Sequence, residues 1–375
     1  MKLCSKEINS GSIIILALWV LALLSLFAVG LGYRGTIELR LTGLYINKMK
    51  ASYALQQGLY TVFFHIANDS DRKVDAYNES WGNNTDAFFE SEIDEGVKLT
   101  VAHTAESNDN ELITLYGAED EESRININVL PTSILSSEYW EEEFGIDDDL
   151  IEVIDHWRQK NSGNKELDAW YESTYGYEAR HGNIQLLEEL HFLKNFFSNS
   201  SDKNKSRARL KNIITFWGKG AVNFNTASRE VLSALFAMQS DQKEMSKSER
   251  DDLIRLIIEY RNGDDGLPGT EDDQIFKDQN IETAIGTHEA SKMTMLNWLR
   301  TKKLVGVTSD FFRIEAEVTF DDKKLQRKVT AIVSRSKDYA RENKTTTERN
   351  KTLSVIDEKK DEEYDPMRII KYFEE

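Results

Sequence analysis

GSIIILALWVLALLSLFAVGLGY, residues 11–33, is the stretch that decides how the rest of the chain can fold. Residues 13–29 are apolar apart from Ser25, and no charged side chain falls between Glu7 and Arg34. A helical run of about 20 predominantly apolar residues matches the hydrocarbon thickness of a bilayer, so this segment is long enough to span one. A polar leader with two lysines, MKLCSKEINSG, precedes it. A secretory signal peptide has a shorter apolar core followed by a small-residue cleavage site. Here the small residue, Gly11, comes before the apolar run.

Beyond the span the helical pattern continues. Leu41, Leu44, Lys48, Ala51, Leu55, Leu59, Val62 and Ile66 step by three or four along one face, the spacing of an amphipathic helix. One helix is expected over about residues 12–67, loosened at Gly30 and Gly32 and ended by Asn68, Asp69 and Ser70. Its first half faces lipid or other subunits, and its second half lays an apolar stripe on a sheet. The strands for that sheet are residues 97–104 (VKLTVAHT) and 111–116 (ELITLY), then 312–320 (FRIEAEVTF) and 325–333 (LQRKVTAIV). All four alternate, and SNDN and DDKK serve as turns. If the two distant pairs share one sheet, everything between them is an insertion.

The order of glycine, apolar span and long helix resembles the class III signal of type IV pilins and pseudopilins. The resemblance implies a cut by a prepilin peptidase between Gly11 and Ser12, with methylation of the new amine at Ser12. The fifth mature residue is then Leu16, where most pilins carry a glutamate that meets the N-terminal amine of a neighbour. A carboxylate in a membrane is costly unless paired, so a subunit lacking it suits a position with no such neighbour. With the run ILALWVLALLSLFAV, the chain resembles the K-type minor pseudopilins of type II secretion systems. That resemblance implies a tip position on the pseudopilus and partnership with I-type and J-type minor pseudopilins. It also implies an inner-membrane anchor with a cytoplasmic N-terminus and a periplasmic bulk. The lysines and arginines on both sides of the span do not set the orientation themselves.

The fold class expected is α+β. A pilin-like long helix packs on a small antiparallel sheet, interrupted by an all-helical insertion of two SAM-like or helix-hairpin-helix-like units. The divisions are a leader (1–11), the helix (12–67), the first part of the sheet domain (68–122), unit one (123–200), unit two (210–305), returning strands (306–335) and a tail (336–375). The two units rest on a repeat. Ile125-Asn126-Ile127-Asn128 recurs as Val222-Asn223-Phe224-Asn225, and LIEVIDHWR, residues 150–158, recurs as LIRLIIEYR, residues 253–261. Each copy closes with a shorter amphipathic helix, residues 184–193 and 290–299. Between the copies SNSSDKNKSRAR, residues 198–209, reads as a solvated connection. In VNFNTASREVL, Asn225 or Thr226 is placed to cap a helix and Asn223 to tie the loop back. No Gly-x-Gly hairpin follows, so the phosphate contact of DNA-binding relatives has no counterpart.

RNGDDGLPGTEDDQIF, residues 261–276, crowds Asp264, Asp265, Glu271, Asp272 and Asp273 into a loop shaped by Gly263, Gly266, Pro268 and Gly269. Ca²⁺ takes six to eight oxygens on a flexible loop, so these five are the candidate calcium ligands, and the resemblance implies calcium in such loops. The first copy reads RQKNSGNKELDAWY there, with only Glu166 and Asp168, and no calcium site is expected. The formal charge of −18 argues against binding nucleic acid, whose phosphates demand a basic face, and no nucleic-acid partner is expected. No cofactor other than structural calcium is implied. The lone cysteine, Cys4, lies in the leader. His65, His103, His156, His181, His191 and His288 show no metal-ligand spacing, and His156 and His191 read as packing or surface residues. Trp170, Tyr171, Tyr175 and Tyr177 make an aromatic-rich loop, read as core in preference to a partner-facing surface. With no nucleophile elbow or phosphate loop, no enzyme is expected. The alternatives are a membrane-anchored helix-hairpin-helix DNA-binding protein, a minor pilin of a related type IV pilus, and an anchored hydrolase using the acidic loop. The tail is too charged to bury its own surface and is expected to be disordered, with residues 367–373 a candidate docking peptide.

Overall fold

The computed structural model describes residues 10–135, 138–160, 163–196, 201–237, 245–321, 326–336 and 367–374. Helix α1 runs over Ser10–Ala67 and passes Gly30 and Gly32 without a break. Intrahelical hydrogen bonds on both sides carry it through the expected loosening. The helix has two regimes. Residues 13–50 include no buried side chain, whereas Ala51, Ala54, Leu55, Leu59, Val62 and Ile66 are all buried. The apolar stripe therefore begins at Leu41 but is covered only from Ala51. The rim of the sheet lies there: Lys50 Nζ meets Asp94 Oδ2 at 2.6 Å, beside the turn between the first two strands.

Strands β1 (Ser91–Asp94) and β2 (Val97–Val101) form a hairpin. Strands β3 (His103–Glu106) and β4 (Leu112–Leu115) form a separate two-stranded ladder. Late in the chain come β5 (Phe311–Phe320), β6 (Gln326–Ser334) and β7 (Arg368–Glu374). The main sheet is antiparallel in the order β1-β2-β5-β6-β7, with Glu119 and Asp120 also paired to β5. Leu99 lies opposite Val318 and Val101 opposite Ala316, so the early and late strands do share one sheet. Phe312, Ile314, Ala316 and Val318 alternate inward from β5 and pack under α1, the period-2 pattern of a half-buried strand. A Cβ on Gly58 would lie 2.9 Å from Leu99 Cδ2; glycine lets α1 approach β2 this closely.

Two expectations for these strands change. The segment 97–104 splits at Ala102, and its second piece turns away with β4 instead of extending the sheet. The end of the chain, grouped with a disordered tail, forms edge strand β7 against β6. Its apolar residues supply a strand whose partner lies far back in sequence. Residues 337–366 lie outside the described residues.

The insertion follows the repeat. Ile125–Asn126 pairs in parallel with Ile214–Thr215, and Val222–Asn223 with Val305–Gly306, so each unit is closed by a two-residue parallel bridge. Unit one contains helices α2 (Asp148–Arg158), α3 (Lys165–Tyr175) and α4 (Ser201–Ala208) and closes at Ile214–Thr215, a few residues past the expected start of unit two at 210. Unit two contains α5 (Arg229–Phe236), α6 (Lys247–Arg261) and α7 (Ala290–Thr301). Trp140 and Tyr171 of the first and Phe224 and Phe276 of the second belong to one apolar cluster.

The equivalences reach single hydrogen bonds. Asn128 bonds the main chain of Ile184 in both directions, as Asn225 does that of Phe276. Arg158 donates to Ile127 O, and Arg261 to Phe224 O and Ala227 O. Buried carbonyls in each opening loop thereby find a donor within their own unit.

Several local expectations are corrected. The connection 198–209 is not simply solvated: α4 occupies most of it, and Arg207 is buried, donating to Gly145 O at 2.8 Å and to Asn195 O at 2.7 Å. A guanidinium that caps carbonyls replaces the apolar residue that the composition lacked. Residues 184–193 give a 3₁₀ helix, Leu187–Phe192, instead of an α-helix. Trp170, Tyr171 and Tyr175 lie on α3 and not in a loop; Tyr171 is fully buried, as the core reading expects, while Tyr175 and Tyr177 are 47% and 42% exposed. The cap of α5 is Ser228, which accepts from Val231 N at 3.2 Å. Asn223 does tie its loop back, accepting from Asn225 N.

Candidate functional site: an uncovered helix, a polar hub and an acidic loop

Gly11 and Ser12 lie in the first turn of α1, and residues 1–9 lie outside the described residues. From Ile13 onward the helix is apolar and open on all sides, with Leu16 67% and Leu39 76% exposed. At 1.5 Å per residue, residues 13–50 stand about 57 Å clear of the sheet. A bilayer's hydrocarbon core would take up about 30 Å of that. The remainder is a neck in which Ile37, Leu41, Leu44, Tyr45 and Ile46 are exposed to water in the isolated chain. Farther up, Tyr53, Tyr60 and Phe64 form an exposed ridge on the side of α1 away from the sheet, lining a shallow groove with Gln56 and Gln57. Apolar surface this extensive on a soluble segment marks a contact surface.

A polar hub fixes the insertion on the sheet. Asp120, fully buried, accepts from Ser309 Oγ at 2.6 Å, Thr226 Oγ1 at 2.5 Å, Asn223 Nδ2 at 2.9 Å and Glu122 N at 2.8 Å. Burial raises its carboxyl above the usual range despite those donors. Asp75 accepts from Ser309 N and pairs with Arg335 at 2.6 Å; burial pushes it up to about 8 against the pull of that guanidinium. Glu121 differs. Burial alone would raise it, but Arg313 and Arg124 hold it below its ordinary value, and Thr215 Oγ1 donates to it at 2.7 Å. The start of unit one, the end of unit one and strand β5 thus meet at one carboxylate.

The acidic loop is knitted mainly by its own backbone. Asp272 accepts from Asp264 N at 2.7 Å, Asp265 N at 3.0 Å and Thr270 Oγ1 at 2.8 Å. Those backbone bonds, the one from Asp265 first, lower its pKa. Asp273 accepts from Gly269 N at 2.7 Å, and burial pushes it up to about 6. Gly263 takes φ +63°, and a Cβ there would lie 2.5 Å from Asp272 O. Asp264, Asp265, Glu271 and Asp272 are exposed. Among the described residues, the five acids do not bring three ligand oxygens within 4.8 Å of one another.

Another set does converge, and it was not legible as a motif. His156 Nε2 and His181 Nε2 lie 2.9 Å and 3.0 Å from the same oxygen, Asp168 Oδ1. The three residues are 12 and 13 apart in sequence and come from α2, α3 and the loop after α3. No short spacing signals such a set; the only available cue was the place in unit one equivalent to the acidic loop.

No family model matches the chain, and no curated protein matches it. Among solved structures it is similar to a chain of the GspK-GspI-GspJ complex of the type 2 secretion system from enterotoxigenic Escherichia coli. The identity is 10% and the TM-score 0.45, with 86% of this chain and 94% of that chain covered.

Proposed function

We propose that the chain is a minor pseudopilin placed at the tip of a type II secretion pseudopilus, acting by packing and not by bond making. The observation that carries this reading is α1. An apolar helix long enough to cross a bilayer continues unbroken into a domain that covers only its last turns. Lipid covers the first part before assembly. In the fibre, helices of other minor pseudopilins of the I and J types cover the neck and the ridge of Tyr53, Tyr60 and Phe64. The segment 13–37 contains no carboxylate, so Leu16 makes no ion pair with a neighbour's amine. A subunit of this kind begins a fibre, and the insertion on its sheet blocks addition above it.

The reading includes maturation: a prepilin peptidase of the inner membrane removes residues 1–11, and the amine of Ser12 is methylated. Intact-mass analysis of protein from hosts with and without that peptidase tests it. The expected mature chain begins at Ser12 only where the enzyme is present; a chain that keeps its first eleven residues in both hosts refutes it.

A further inference from the structure

We propose that His156, Asp168 and His181 form a binding site for a divalent transition metal of the zinc class in unit one. The donor set is two imidazoles and one carboxylate, which suits zinc, cobalt or nickel; calcium and magnesium take oxygen ligands. Three protein ligands with an open position are a known zinc arrangement. His156 lies on the floor with its side chain 1% exposed, while His181 and Asp168, at 23% and 31%, leave a mouth to solvent.

The hydrogen bonding gives a second, independent argument. His181 Nδ1 lies 3.3 Å from Gln159 O. A carbonyl only accepts, so Nδ1 carries the proton, and in a neutral imidazole Nε2 then presents a lone pair. That lone pair points at a carboxylate oxygen 3.0 Å away. A positive charge between the two, a metal ion or a second ring proton, makes that contact favourable, and the test below separates the two. A metal-bound histidine characteristically donates its other nitrogen to a carbonyl in this way. Tetrahedral ligands on zinc at about 2.0–2.1 Å are roughly 3.3 Å apart, so a small opening of the three atoms admits the ion.

The backbone holds this geometry without the ion. His181 adopts φ +48°, uncommon for a side-chain-bearing residue, and the adjacent Gly182 N donates to Trp157 O at 2.9 Å. The metal fastens α2, α3 and the following loop together. Asp168 and His181 follow the helix that ends in Arg158, as the acidic loop of unit two follows the one that ends in Arg261.

The test uses the full chain in detergent, stripped with a chelator and titrated with Co²⁺. One equivalent is expected to give the visible absorption of a low-coordinate cobalt site, displaced by Zn²⁺ and not by excess Ca²⁺. Asp168→Asn keeps an acceptor, and His181→Asn keeps a residue that tolerates positive φ. Each is expected to weaken binding roughly 100-fold or more, since even outer-shell changes cost 10–100-fold, while metal-free melting stays close to wild type. Absence of a cobalt spectrum in the wild type overturns the proposal, leaving an imidazolium at His181 paired with Asp168. Unchanged affinity in both variants overturns it as well, placing the ion elsewhere.

Discussion

A chain carrying Leu21→Arg and Leu24→Arg is expected to leave the membrane fraction while its globular part melts as in the wild type. Both positions lie mid-span, and both side chains are exposed, at 60% and 59%. Each arginine costs about 2.5–3.5 kcal/mol at the centre of an inserting helix, whereas each Leu, Ile, Val or Phe contributes about 0.3–0.6. The span as it stands therefore inserts with about 5 kcal/mol in its favour, and two arginines reverse the sign. The folded part should not respond, because residues 13–50 include no buried side chain. Fractionation and thermal melting of the two proteins check both halves. If the double variant stays in the membrane at wild-type level, the span is not what anchors the chain.

Glu121→Ala should strongly destabilise the globular part. The carboxylate is 1% exposed and meets Arg313 Nε at 2.8 Å and Arg124 Nη1 at 3.1 Å. Removing it strands Thr215 Oγ1 and leaves two guanidiniums to share Glu119, which approaches Arg313 only to 3.7 Å. Breaking a buried ion pair by deleting one partner costs about 3–5 kcal/mol. Arg313 is 28% exposed, and solvent relieves part of that, so about 3 kcal/mol is expected. Urea denaturation of Glu121→Ala, Arg313→Ala and the double variant measures it. The double variant should be much less destabilised than the sum of the singles, because no buried charge is then left alone. Additive losses, or a Glu121→Ala midpoint equal to wild type, would show that the hub does not join the insertion to β5.

The sequence disclosed the parts of this fold that local pattern controls. The 3.6-residue stripe placed α1, and alternation placed β5 and the first part of β6, because burial on one face repeats at the period of the backbone; residues 331–334 of β6 are all buried. The repeat of Asn128 and Asn225 marked the two units, and the matching hydrogen bonds of these asparagines explain why the same residues recur. What stayed hidden depends on distant partners. Strand β7 follows a long charged run and pairs with β6, which no local pattern announces. Arg207 looked like part of a solvated connection because its buried role is to satisfy carbonyls of Gly145 and Asn195. Nor did local sequence show where the sheet ends, so the stripe from Leu41 overstated how much of α1 is covered. His156, Asp168 and His181 come together only through the packing of α2 on α3, where Trp157 and Tyr171 rings lie 5.4 Å apart.

The proposed function requires that helices of other subunits cover the exposed neck of α1 once the fibre forms. Photo-crosslinking groups placed singly at residues 37, 41, 44 and 45, in membranes of a secretion-competent host, test it directly. Covalent adducts with other pilin-like subunits are predicted at these positions. Adducts with lipid alone, or none at any of the four, would contradict it.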